Sequence, residues 1–314
     1  MTECLLYGDV TEAMAHALAP YMTLVPREGL NLTVEGDRFA YVLTNGGLGI
    51  SREDMAALPR LALISCYGVG YDAIDAREAA RRGIIVTHTP DVLNAEVATT
   101  ALMLMLACYR ELLRDNDWAR SGNWSAKGAA PLTRSADGQR IGLVGMGRIG
   151  QEIARKLAPF SPEIHYHSRA PKSVPFIFEP NLLEMAQKVD CLIVIVPGGP
   201  ETRHLVTQEV IEALGPRGTL INVARGSVVD EAALVRCLEQ GKLGWAGLDV
   251  FEAEPRIPDA LKAMPNVVLL PHVGSATVET RGAMGQLVVD NLVDHLIKGT
   301  VRTPVPESKS LLPS

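Results

Sequence analysis

Three residues far apart in the chain have the types that carbonyl chemistry needs. Arg225 stands in Asn222-Val223-Ala224-Arg225-Gly226, directly after an apolar run; Glu254 precedes Pro255, and His272 follows Pro271. A lone arginine after a strand is most often a salt-bridge partner. Its planar fork is also what a 2-oxo acid requires, holding the carboxylate and polarising the carbonyl. A histidine titrates near ~6.5 in isolation, and a neighbouring carboxylate favours its charged form. Such a pair can donate a proton while hydride adds to a carbonyl, and the neutral imidazole serves as base in reverse. Reduction is therefore expected to gain at lower pH and oxidation at higher pH.

A hydride source has to be bound nearby, and the stretch IGLVGMGRIG, residues 141–150, offers one. Ile141, Leu143 and Val144 form a short strand, and Gly145, Gly147 and Gly150 fall at the G-x-G-x-x-G spacing of a dinucleotide-binding turn. Three glycines also occur in ordinary turns, but the amphipathic run to Leu157 supplies the helix that the motif requires. The pyrophosphate is expected on Gly145, Met146, Gly147, Arg148 and Ile149, at the positive end of that helix. A NAD-preferring site carries an acid about 20 residues on. Here the second strand ends in His167-Ser168-Arg169-Ala170-Pro171-Lys172, with no acid. Ser168, Arg169 and Lys172 suit a 2'-phosphate instead. NADPH is thus the expected cofactor, with NADH possible.

The elements that must position these groups alternate between strand and helix. Apolar runs Cys4–Tyr7, Phe39–Thr44, Leu61–Cys66 and Ile84–Thr87 are separated by helical stretches at Thr11–Leu18, Ser51–Leu58 and Asp72–Arg82, which implies a parallel sheet. A second series follows at Glu163–Ser168, Cys191–Val196, Thr219–Val223, Trp245–Val250 and Val267–Leu270. Helices are expected at Asn181–Lys188, Asp230–Gln240 and Thr277–Lys298. Two glycine loops, residues 45–49 and 67–72, lie where bare amides could receive a carboxylate; flexible connection is the plainer reading. The helix expected at Ala95–Arg110 is apolar almost all round and needs cover from a large core or a second subunit. The tail from Glu307 to Ser314 is expected to be loose.

With 314 residues, two domains are expected. Composition is that of a globular protein, 47% hydrophobic and 21% charged, and the net charge of -6 argues against nucleic acid as a partner. Five scattered cysteines show neither disulfide nor zinc spacing, so no metal is expected. Neither a secretory signal nor a membrane span is evident, and a cytoplasmic, soluble protein is expected.

Taken in order, GLVGMGRIG, INVARGSVVDE (221–231), AGLDVFEAEP (246–255) and PHVGSATVETR (271–281) resemble the successive signatures of the D-isomer-specific 2-hydroxyacid dehydrogenases. The likeness includes the GVGYD loop and covers nearly the whole chain. It implies an α/β fold of two parallel-sheet domains: a Rossmann-type cofactor domain, residues 91–279, inserted into a smaller flavodoxin-like substrate domain, residues 1–90 and 280–314. It implies that Arg225 binds the substrate, that His272 is the acid/base and that Glu254 orients it. Val69 and Gly70 amides would complete the carboxylate site, and Asp249 would bond the nicotinamide carboxamide. Val196, Pro197, Thr202, Val223, Ala224, Arg225, His272 and Gly274 would flank the cofactor. A homodimer through the cofactor domain is implied as well.

Ser168-Arg169 with Val196-Pro197-Gly198-Gly199-Pro200 is similar to the NADPH-dependent glyoxylate and hydroxypyruvate reductases. The expected reaction is reduction of a small 2-oxo acid to the D-2-hydroxy acid. Tyr67 and Leu48 flank the expected pocket, so a flat aromatic substrate is the alternative. Another is a dinucleotide-sensing, corepressor-like binding protein, against which stand the NADPH-type turn and the missing long extension.

Overall fold

A computed structural model describes residues 1–312. Two compact units emerge, one comprising residues 1–93 and 276–314, the other residues 94–275. The second is therefore inserted into the sequence of the first.

In the first unit five parallel strands, β1 (Thr2–Leu6), β2 (Met22–Pro26), β3 (Phe39–Asn45), β4 (Leu63–Tyr67) and β5 (Ile85–Thr87), lie in the order β2-β1-β3-β4-β5. That is the flavodoxin-like doubly wound order. The strands are apolar on both faces because helices cover both: Leu5, Val42 and Ile64 face one core, Cys4, Leu43 and Leu63 the other.

In the second unit seven parallel strands follow: β6 (Arg140–Val144), β7 (Glu163–His167), β8 (Ile177–Phe178), β9 (Cys191–Val194), β10 (Thr219–Asn222), β11 (Trp245–Leu248) and β12 (Val267–Leu269). Their order is β12-β11-β10-β9-β6-β7-β8. Read from β8, this is the Rossmann arrangement with one strand added, and its topological switch point lies between β6 and β9. Both sheets are all-parallel, so the α/β class is the one anticipated.

Several helices start one residue later than their first polar residue suggests, because that residue is the cap. Thr11, Ser51, Asp230 and Thr277 accept the amides of Met14, Asp54, Ala233 and Thr280. The apolar helix Asn94–Tyr109 finds its cover within its own unit, against β10, β11 and the helix Arg148–Leu157. Core burial thus accounts for most of its apolar surface, and Met103 stays 45% exposed.

The expected loose tail is corrected. Residues Pro306–Leu311 form a 3-10 helix. Ser308 is fully buried and accepts the Val86 amide, while Tyr71 donates to Glu307. The last two residues lie outside the described part. No helix among the described residues is long and apolar enough to cross a membrane.

Candidate active site

The dinucleotide turn follows β6. Gly145 has φ +113°, and a Cβ there would stand 2.6 Å from the Ile195 carbonyl oxygen at the switch point. A Cβ at Gly150 would stand 2.3 Å from the Gly145 oxygen, whereas nothing lies within 4 Å at Gly147. Two glycines therefore permit the close approach of backbone, and the third leaves open space at the N-terminus of the helix Arg148–Leu157. This is a cradle for a pyrophosphate on bare backbone. Met146 is only 1% exposed and Val223 and Ala224 are buried, so these three can offer a ligand backbone groups only.

At the end of β7, Ser168 Oγ donates to the Ala170 carbonyl at 2.7 Å, closing a tight turn. Arg169 beyond it is almost fully exposed, with Glu201 at 4.0 Å. Lys172 is exposed too. After β9, half-buried Val196 leads into a loop starting at Pro197, and the Thr202 hydroxyl donates to the Pro197 carbonyl at 2.7 Å.

Arg225 is presented by a loop shaped from below. Buried Asn222 donates to the Arg225 carbonyl at 3.0 Å and accepts the Ala224 amide at 3.1 Å. A Cβ at Gly226 would collide with the Phe251 carbonyl, so glycine lets this loop sit directly on the segment carrying Glu254. The guanidinium donates to the Ala224 carbonyl at 2.8 Å.

Glu254 accepts the Phe251 amide at 3.0 Å through Oε1. Through Oε2 it accepts from His272 Nδ1 at 2.7 Å. Burial works to raise its carboxyl, but the bonds from His272 and Phe251, with the charges of His272 and Arg225, outweigh it and hold the group below the ordinary range. His272 and Arg225 thus both act on Glu254, within one unit. Because Nδ1 is committed to Glu254, the proton that His272 can exchange sits on Nε2.

The backbone at His272 is left-handed, φ +55°, which is uncommon for a side-chain-bearing residue and marks local strain. Asp249 holds it there. The Asp249 carbonyl accepts the His272 amide at 2.9 Å. Its carboxylate accepts Val273 N–H at 2.7 Å and Gly274 N–H at 2.8 Å. Burial raises the Asp249 carboxyl, only partly offset by those two amides. This buried brace is not legible from residue type or spacing; the nicotinamide contact that the family resemblance implies for Asp249 is a separate role. Asn222 was missed for the same reason.

In the first unit the two glycine loops differ. The Asn45 side chain takes the Gly47 and Leu48 amides and its carbonyl takes that of Gly49, so the expectation of bare amides is corrected for these three. Among the described residues no acceptor is found for the Val69 and Gly70 amides, while the Val69 carbonyl is held by His88 at 2.9 Å. Tyr67 donates to the Arg281 carbonyl at 3.0 Å, with the Arg281 guanidinium 5.6 Å from its ring. Leu48 is 57% exposed.

The family model for the D-isomer specific 2-hydroxyacid dehydrogenase NAD binding domain matches residues 102–274, and the chain belongs to that family. Among curated relatives, a glyoxylate/hydroxypyruvate reductase A of Arabidopsis thaliana is 43% identical over 281 residues, 89% of this chain and 90% of the relative. A hydroxyphenylpyruvate reductase of Plectranthus scutellarioides is 43% identical, covering 87% of this chain and 88% of the relative. Among solved structures, the NADPH-dependent glyoxylate/hydroxypyruvate reductase of Sinorhizobium meliloti, in complex with NADP and malonate, matches with a TM-score of 0.92. It is 45% identical and covers 98% of this chain and 97% of that one.

Proposed function

We propose that this dehydrogenase reduces a small 2-oxo acid, glyoxylate or hydroxypyruvate in kind, to the D-2-hydroxy acid with NADPH. The observation that carries the reading is the His272–Glu254 bond of 2.7 Å, with the charge of Arg225 acting on the same carboxylate. The bound nicotinamide supplies the hydride. Arg225 holds the substrate carboxylate and draws electron density from the carbonyl. As the carbonyl carbon becomes tetrahedral, its oxygen takes the Nε2 proton of His272, and Glu254 stabilises the imidazolium before that transfer. In oxidation His272 accepts the hydroxyl proton. Val69 and Gly70 are assigned to the substrate carboxylate, and Tyr67 and Leu48 to the fit of its side chain.

NADPH over NADH is supported by the acid-free turn at Ser168, Arg169 and Lys172 and by the NADP held in the Sinorhizobium meliloti relative. Asp249 and Gly274 are assigned to the nicotinamide side, and Pro197 and Thr202 to the riboses. A homodimer is part of the same reading, supported by Met103, Leu112, Leu113 and Trp124 exposed on the inserted unit. A cytoplasmic setting is supported by five cysteines that are all buried and free.

The test is a spectrophotometric panel. NADPH oxidation with glyoxylate and hydroxypyruvate, faster than with an aromatic 2-oxo acid, is the expected result. The reverse order moves the assignment to aromatic substrates, as the Plectranthus scutellarioides relative's name would favour. Tight NADPH binding without turnover of any 2-oxo acid would replace it with a dinucleotide-sensing role.

A further inference from the structure

The segment from Ser168 to Lys172 leaves the end of β7, and the chain rejoins the sheet at β8. Its exposed side chains do little to fix its shape: among the described residues Arg169 has only the 4.0 Å approach of Glu201, and both groups are well exposed. The constraint comes from beneath. Tyr166, on β7, is 1% exposed, and its ring packs 5.4 Å from that of Phe178, its register partner on β8. The hydroxyl reaches the backbone of Lys172 twice, accepting the N–H at 2.8 Å and donating to the C=O at 3.2 Å. One buried hydroxyl therefore satisfies both peptide groups of the residue that ends the segment. The carbonyl has a further donor in the Val174 amide, 2.9 Å away. For the Lys172 amide, Tyr166 is the acceptor found among the described residues. The start of the segment is tied separately, by Ser168 to Ala170.

We infer that Tyr166 is a positioning residue for cofactor choice: by pinning Lys172 it sets the height of the turn above β7 at which Ser168, Arg169 and Lys172 together surround a 2'-phosphate. The inference rests on the NADPH reading above. A phosphate dianion needs several donors in place at once, and its affinity follows their geometry. A neutral 2'-hydroxyl makes one or two bonds and asks less of the turn. Losing the tyrosine hydroxyl therefore weakens NADPH more than NADH, although Tyr166 touches neither.

The measurement is the ratio of kcat/KM with NADPH to kcat/KM with NADH, for the wild type, Tyr166→Phe and the double variant Ser168→Ala with Arg169→Ala. Phenylalanine keeps the ring against Phe178 and removes only the hydroxyl. A fall in the ratio of about three- to tenfold in Tyr166→Phe, carried by KM for NADPH, is expected. An unchanged ratio overturns the inference, whether or not both rates fall together, since a general loss of packing would not separate the two cofactors. If the double variant leaves the ratio unchanged, it is the phosphate reading of the turn that fails. If it lowers the ratio and Tyr166→Phe does not, only the role of Tyr166 fails. Should Tyr166→Phe give no folded enzyme, amide exchange on the cofactor-free wild type decides: the Lys172 amide must be protected, and rapid exchange there overturns the inference.

Discussion

Asp249 and His272 are joined through the main chain: the Asp249 carbonyl accepts the His272 amide at 2.9 Å, and the Asp249 carboxylate takes the next two amides. A buried acid thus holds a left-handed histidine whose ring is turned toward Glu254. Replacing Asp249 by Asn leaves one oxygen where two were used and sets an amide donor against a backbone N–H. Stability should fall by about 1–3 kcal/mol, and turnover should fall with it while KM for the 2-oxo acid changes less. Chemical denaturation and steady-state rates on the same preparation check this; full activity in a destabilised variant would remove Asp249 from the positioning of His272.

Arg225 carries a different signature. Arg225→Ala should lower kcat/KM by about a hundredfold or more, and Arg225→Lys should recover little, because a point charge does not reproduce a planar fork. Steady-state kinetics with glyoxylate measure it. Wild-type affinity and rate in the alanine variant would remove Arg225 from the substrate's carboxylate.

Cofactor preference should be reversible at the turn after β7. Ser168→Asp with Arg169→Ala places a negative charge where the 2'-phosphate would lie, and the NADPH to NADH ratio should fall by about tenfold or more. Competition between the two cofactors reads this directly. A preference that stays where it was would show that the phosphate is recognised elsewhere.

Within the site, two carboxyls contribute to the pH dependence of stability with opposite signs. Glu254 is depressed in the folded protein, so its contribution is present above the ordinary carboxylate range and is lost as pH falls through the depressed value. Asp249 is raised, so its protonation favours the fold as pH falls through the raised value. The Tm advantage of the wild type over Glu254→Gln should therefore shrink in acid. A gap that widens in acid would mean that the carboxylate at Glu254 costs stability rather than supplying it.

The fold and the polar groups were not equally legible in the sequence. Continuous apolar strands such as Cys191–Val194, and the three glycines from Gly145 to Gly150, carry their reading in residue type and spacing, because burial on both faces and close backbone approach each admit few residues. The strand Met22–Pro26 was missed because it is short, half-buried and closed by a proline. The helix Gln208–Leu214 escaped notice between two loops. For the site, Arg225, Glu254 and His272 stood out by type. What places them did not: Asn222 and Asp249 act through backbone amides distant in sequence or hidden by the turn, and such bonds leave no periodic trace. Ser308 was misread likewise, since a buried hydroxyl accepting the Val86 amide gives a polar tail its anchor.

The central claim is that His272, held by Glu254, moves the proton in both directions. The most direct measurement is the rate of the chemical step against pH, for reduction and for oxidation, in wild type and in His272→Gln. The wild type should lose reductive rate as pH rises and oxidative rate as pH falls, and the variant should lose about 10²–10⁴-fold with both dependences abolished. Flat wild-type profiles with chemistry rate-limiting, or a variant as fast as the wild type, would contradict the claim.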